Sequence, residues 1–167
     1  MKNKNLSFMT QAAMIAAIYV VLTYIFAPFS FGEVQVRISE ALTILPIFTP
    51  AAIPGLFAGC LIGNILGGAI LPDIVFGSIA TLIGAFFTWK LREQKPVVAT
   101  FPPIISNIII VPFVLRYGYG VTLPIPFMML TVGIGEVISC GVLGMILYGA
   151  LSKYRHTIFG ATTAVEK

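Results

Sequence analysis

The 167 residues carry 10 Lys+Arg and 6 Asp+Glu, 16 charges in all, where an average soluble domain of this length holds roughly 42. Apolar side chains make up 58% and the mean hydropathy is +1.01. A soluble chain of this size buries only ~70% of its surface on folding, too little to hide that much apolar area. The composition therefore excludes ordinary cytosolic enzymes, nucleic-acid binders and disulfide scaffolds, and leaves an all-α integral membrane protein.

The first apolar run, about 8–28, follows Lys2 and Lys4. It exceeds the ~7–15 residues of a signal-peptide core and is read as a retained anchor. Between Arg37 and Leu71 lie 35 residues, ~52 Å as a helix, too long for one crossing of a ~30 Å hydrocarbon layer. Pro46, Pro50 and Pro54 interrupt that stretch, and each removes a backbone donor. Two spans, 37–49 and 51–71, are predicted there, the first of them short. Three more follow at 73–89, 97–115 and 123–152, giving one domain over 1–167.

With six spans, Lys2, Lys4, Lys90, Arg92, Lys95, Lys153, Arg155 and Lys167 fall on one side, and only Arg37 and Arg116 on the other. That asymmetry places both termini in the cytoplasm. Merging the second and third spans would spoil it. Trp89 beside Lys90 reads as a cytoplasmic interface anchor, and the tail from Thr157 as a frayed end. Cys60 and Cys140 sit inside apolar runs and read as small hydrophobes.

Small residues at four-residue spacing mark helix contacts in lipid. Gly55, Gly59, Gly63 and Gly67 form one such ladder on the third span, expected to pack internally. The first span carries two overlapping registers, Ala12–Ala16 and Ala13–Ala17, which serve either internal packing or docking on a second membrane protein. The sixth is glycine-rich, with Gly133, Gly135, Gly141, Gly144 and Gly149.

An ionisable group at bilayer depth costs several kcal/mol unless it meets a cavity or a partner. Glu136, about 13 residues or ~20 Å below the outer end of its span, is the clearest case. Either it lines a ligand cavity or it makes a structural interhelical bond. Asn107 and Ser106 lie at comparable depth on the fifth span, and Asn64 beside the glycine ladder. Arg37 and Glu40, three apart, are placed to pair with each other. Asp73 after Pro72 is placed to cap the fourth span. Glu33 reads as solvated loop, and Tyr117 and Tyr119 as interface-belt or stacking aromatics. Together these groups gather at the outer ends and middle depth, where carboxylates outnumber cations. A pocket there suits a small solute rich in N–H donors, or a cation.

The run Gln35-Val36-Arg37-Ile38-Ser39-Glu40-Ala41-Leu42-Thr43-Ile44-Leu45-Pro46 resembles the QueT-type family of predicted queuosine-precursor transporters, S components of energy-coupling-factor (ECF) importers. The chain length, the six-span bundle and the Ala12–Ala17 pattern are similar to S components as well. The resemblance implies high-affinity capture of a 7-deazaguanine such as preQ1, preQ0 or queuine from outside. It also implies association, through the first helix, with a transmembrane coupling protein that carries two ATPases. The expected solute-binding residues are Arg37, Glu40, Asn64, Asp73, Asn107, Tyr117 and Glu136; of these the family motif itself carries Arg37 and Glu40. The expected partner face is Ala12, Ala13, Ala16 and Ala17. No cofactor or metal is expected.

No G-x-x-x-x-G-K-[ST] phosphate loop, H-E-x-x-H or G-x-S-x-G is present, and His156 is the single histidine, so no enzyme is expected. Transport energy would come from partners. An S component for another vitamin, or a small secondary transporter relaying ions through Glu136, are the rival readings.

Overall fold

The computed structural model describes residues 4–26, 36–154 and 158–159. Lys2, Glu33, Arg155, His156, Lys167 and most of the 29–37 loop lie outside them. The described residues are all-helical. Six helices follow in chain order: α1 Lys4–Ile25, α2 Ile38–Ile47, α3 Ala52–Leu66, α4 Leu71–Lys90, α5 Val98–Gly118 and α6 Ile125–Ser152.

Four of them, α1, α4, α5 and α6, have the length and apolarity to cross a bilayer. The other two are short for a reason. At 15 residues α3 rises only ~22 Å. It begins cleanly in spite of Pro54, because an N–H in the first turn of a helix has no internal partner to lose. The ten residues of α2 form a 3₁₀ helix that contains Pro46. Runs of this length are uncommon because their hydrogen bonds are poorer. Irregular backbone survives at membrane depth only inside protein, and nine of the ten residues are indeed buried.

The sheltering comes from the other helices. α1 packs on α3, α3 on α4, α4 on α5 and α5 on α6, while α2 touches all five of the others. The glycine ladder lets α1 and α3 close up as expected. A Cβ on Gly55 would come 2.7 Å from the Ala12 carbonyl oxygen, and one on Gly59 2.7 Å from Tyr19 Cβ. A second close approach joins α4 to α5, where a Cβ on Gly84 would lie 2.6 Å from Pro103 Cα.

The last two helices change pitch, α5 at its end and α6 at mid-length. After Pro112 has removed a donor, α5 widens into a π-helix over Val114–Gly118. α6 does the same over Val137–Leu143, directly after Glu136.

Along α2 the chemistry divides. Ser39, Glu40 and Thr43 occupy its first half, and Ile44, Leu45 and Ile47 its second. The apolar half joins a buried cluster with Phe48, Ala52, Leu56, Ala85 and Ala99. Phe48 stacks on Tyr148 at 5.3 Å and on Phe159 at 5.4 Å, between ring centroids. This plug fills the end of the bundle at which α4 finishes and α5 begins, where Thr88 Oγ1 donates to the Ala99 carbonyl at 2.9 Å. The polar half of α2 looks into the middle of the bundle.

Candidate functional site

A buried polar cluster draws on every helix. Arg37, Glu40, Asn64, Asp73, Asn107 and Glu136, six of the seven predicted solute-binding residues, are each at most 5% exposed. The pairings differ from those expected. Arg37 and Glu40 do not pair with each other: Arg37 Nη2 reaches Asp73 Oδ2 at 3.4 Å. Glu40 Oε1 accepts from the Tyr19 hydroxyl and from Thr81 Oγ1, the latter at 3.3 Å. The tight 3₁₀ winding after Arg37 turns the two side chains toward different neighbours. Asp73 does not cap α4 either. The helix starts at Leu71, so Asp73 lies within its first turn, and its side chain points to Arg37 and Tyr119.

Two sub-clusters result. In one, Asp73 Oδ2 accepts from Arg37 and from the Tyr119 hydroxyl at 3.0 Å, and Asn64 Nδ2 donates to the Asp73 carbonyl at 3.4 Å. Gly77 faces this group. A Cβ there would sit 3.0 Å from Asp73 Oδ1, 3.3 Å from Asn64 Nδ2 and 3.9 Å from Arg37 Nη1. In the other, one donor atom each of Glu40, Glu136 and Cys140 lie within 4.8 Å of one another. Cys140 Sγ donates to Glu136 Oε2 at 3.1 Å, Thr43 Oγ1 donates to Cys140 Sγ at 3.4 Å, and the Asn107 side chain bonds Glu136. Among the described residues this is the one acid–thiol trio close enough to take a metal ion.

Satisfaction of these groups is incomplete. Glu40 Oε2, Asp73 Oδ1 and Ser139 Oγ are buried with no hydrogen-bond partner among the described residues. An orphaned buried acceptor costs about 1–3 kcal/mol, more when charged, so each needs an explanation. Charge is unbalanced as well. Arg37 is the one buried basic side chain among the described residues, and it faces three buried carboxylates. Two like charges at ~4.8 Å repel by roughly 3.5 kcal/mol even at an effective dielectric of ~20. The arrangement favours anything that brings donors or positive charge to the carboxylates.

Tyr117 is not brought to this cluster. It is 77% exposed and stacks on Phe113, on the wall of an apolar surface cavity of about 460 Å³ with Pro72, Phe76 and Ile109. Tyr119, two residues on, is the tyrosine that reaches Asp73. Burial first, and then the Asp73 charge, hold its phenol above the usual tyrosine value. Tyr19, Thr81, Cys60 and Gly77 are the members that sequence reasoning passed over. Tyr19 does carry a signal, since a tyrosine far from either end of a span is out of place in an interface belt.

The alanine registers separate. Ala12 and Ala16 are half-buried against the glycines of α3, whereas Ala13 and Ala17 are exposed. Of the four alanines only Ala13 and Ala17 are exposed, with Met14, Ile18 and Val21 exposed beside them.

A helical bundle with four membrane-length apolar helices and a central set of ionisable groups is the build of a membrane carrier for a polar solute. Comparison with known proteins narrows this class. The family model described as QueT transporter matches residues 9–153, most of the chain, and the protein belongs to that family of transporters, which are not enzymes. It is 33% identical over 84 residues to the Queuosine precursor transporter QueT of Lactococcus lactis subsp. cremoris (strain MG1363). The match covers 49% of this chain and 48% of the relative, so about half the length of that curated protein is spanned. No solved structure matches.

Proposed function

We propose that the chain is the solute-capturing S component of an ECF-type importer, taking a 7-deazaguanine queuosine precursor from outside the cell. Family membership supports the solute class. The observation that carries the site is the acid pair Glu40–Glu136, with one carboxylate oxygen, Glu40 Oε2, left without a partner in a buried polar core. A deazaguanine presents an N1–H and a 2-amino group side by side, and a carboxylate accepts two parallel donors from one face. Asn64, Asn107, Arg37 and Asp73 complete the binding surface, and Tyr119 replaces Tyr117 as the aromatic at its mouth.

All six helices would span the membrane as a unit, with α2 and α3 sheltered inside the bundle. Lys4, Lys90, Arg92, Lys95 and Lys153 mark the cytoplasmic end. The apolar plug then seals the inner end, and the Arg37–Asp73–Tyr119 group lies toward the exterior. Energy would come from a coupling protein and two ATPases, docked on the exposed Ala13–Ala17 face of α1.

Calorimetric titration of the purified chain with preQ1, preQ0, queuine, guanine and unrelated vitamins tests the solute. Saturable binding of deazaguanines alone is expected. Binding of an unrelated vitamin in their place would assign a different S component. Uptake by the chain alone in proteoliposomes would instead favour a secondary transporter working through Glu136.

A further inference from the structure

The buried charges do not balance, and this has a consequence for what must leave when a solute arrives. Three carboxylates, Glu40, Asp73 and Glu136, share one guanidinium, Arg37, which lies against Asp73. Among the described residues the Glu40–Glu136 pair has no cation of its own. The groups around it are the Tyr19 hydroxyl from α1, the Arg37 guanidinium at the start of α2, the Cys60 thiol from α3, Thr81 and Asp73 from α4, the Asn107 amide from α5 and the Cys140 thiol from α6. Apart from Arg37 and Asp73 these are neutral donors or acceptors. Two carboxylates this close and this deep do not both stay ionised, because low dielectric and like charge each disfavour it.

We propose that the Glu40–Glu136 pair is a proton-exchanging cation site, releasing one proton to solvent for each positive charge that the bound solute brings. The inference rests on the reading of this cluster as the solute site. In the empty protein the pair holds one proton, leaving the other carboxylate ionised to accept the solute's N–H edge. A primary ammonium entering beside the protonated carboxyl of the pair supplies that positive charge itself, so the carboxyl O–H bond breaks and its proton leaves to bulk water. The total charge of the chamber is the same before and after. A neutral solute of the same shape gives no exchange. preQ1, with its aminomethyl cation, and preQ0, with an uncharged nitrile at the same place, are the matched pair of probes.

The test is calorimetry of both ligands on the full chain in detergent, at one pH, in phosphate and in Tris, whose ionisation heats differ. For preQ1 the difference in observed heat should correspond to about one proton released, and for preQ0 to about none. Across pH, the preQ1 affinity should rise by up to about tenfold per unit while the pair is protonated in the empty protein, with preQ0 flat. Glu136→Gln should weaken preQ1 at least about tenfold more than preQ0. Equal preQ1 heats in the two buffers, or equal losses for both ligands in the variant, would overturn proton exchange while leaving the site assignment intact. Failure of both ligands to bind would overturn the site assignment, and the exchange with it.

Discussion

Tyr119 shows how much one hydroxyl decides. Its donation to Asp73 Oδ2 ties the loop after α5 to the start of α4, beside the Arg37 guanidinium. A net hydrogen bond of about 0.5–1.5 kcal/mol corresponds to roughly two- to twelvefold in affinity, so Tyr119→Phe should weaken solute binding by that factor in calorimetry. Because burial and the Asp73 charge raise the phenol above its ordinary value, it keeps its donor proton to higher pH than an ordinary tyrosine. The bond is therefore intact at every lower pH and is lost as pH rises through the raised value. Difference absorbance of wild type against Tyr119→Phe should show this tyrosine ionising above the ordinary tyrosine range. Gly77 is the second residue of this kind. A methyl added there intrudes on Asp73 Oδ1 and Asn64 Nδ2, so Gly77→Ala should lower affinity by about tenfold or more, ~1.4 kcal/mol, while the thermal midpoint moves little. Arg37, Glu40, Asn64, Asp73, Asn107 and Glu136 can be picked from sequence because a charge or amide in an apolar run is expensive. Thr81 and Cys60 cannot. Thr81 also bonds the Gly77 carbonyl at 3.2 Å, and this backbone option makes a hydroxyl ordinary within any helix.

At the scale of the elements, spacing foretold which glycines matter but not how strictly. Overpacking costs about 1–3 kcal/mol when a neighbour must move. Gly84→Ala meets Pro103 backbone at 2.6 Å and Gly59→Ala meets Tyr19 Cβ at 2.7 Å, so both should lower the thermal midpoint clearly. Gly63→Ala meets only the Thr23 side chain, at 3.3 Å, and should cost less, while Gly149→Ala meets nothing within 4 Å and should be harmless. The same ordering would appear in expression level and in detergent melting curves. α1 offers a contrast between its faces. Ala16 lies against Gly59, so a bulky substitution there tests folding and docking together, whereas Ala17→Trp changes only the exposed face. On the proposed function, Ala17→Trp keeps solute binding and abolishes energised uptake. Undiminished uptake would reject that face. The 3₁₀ form of α2 was not legible from sequence, where residues 37–49 read only as a short span. What stabilises it is enclosure by the five other helices, and periodicity along one chain segment carries no trace of that.

For the molecule as a whole, the cation count gives a direction and the core gives two unlike ends. Residues Ile44–Phe48 and the stacked rings at Tyr148 and Phe159 fill one end with apolar groups, while Arg37, Asp73 and Tyr119 make polar contacts toward the other. If the cation-rich end is cytoplasmic, an impermeant maleimide should label Thr122→Cys in intact cells and Lys95→Cys only after permeabilisation. The natural thiols will not interfere, since Cys60 is 0% and Cys140 1% exposed. The reverse labelling pattern would invert the topology.

The wide turn after Glu136 makes α6 unequally sensitive to shortening. A π-turn inside an α-helix amounts to one inserted residue taken up locally. Removing a residue within Val137–Leu143 lets that turn revert to ordinary pitch, with Met128 above and Tyr148 below still facing their present neighbours. Removing one from Ile125–Glu136 instead rotates everything on one side by about 100°. A chain trimmed at Ile138 would thus insert and fold with Cys140 three positions beyond Glu136 instead of four, still on the same helix face as the acid.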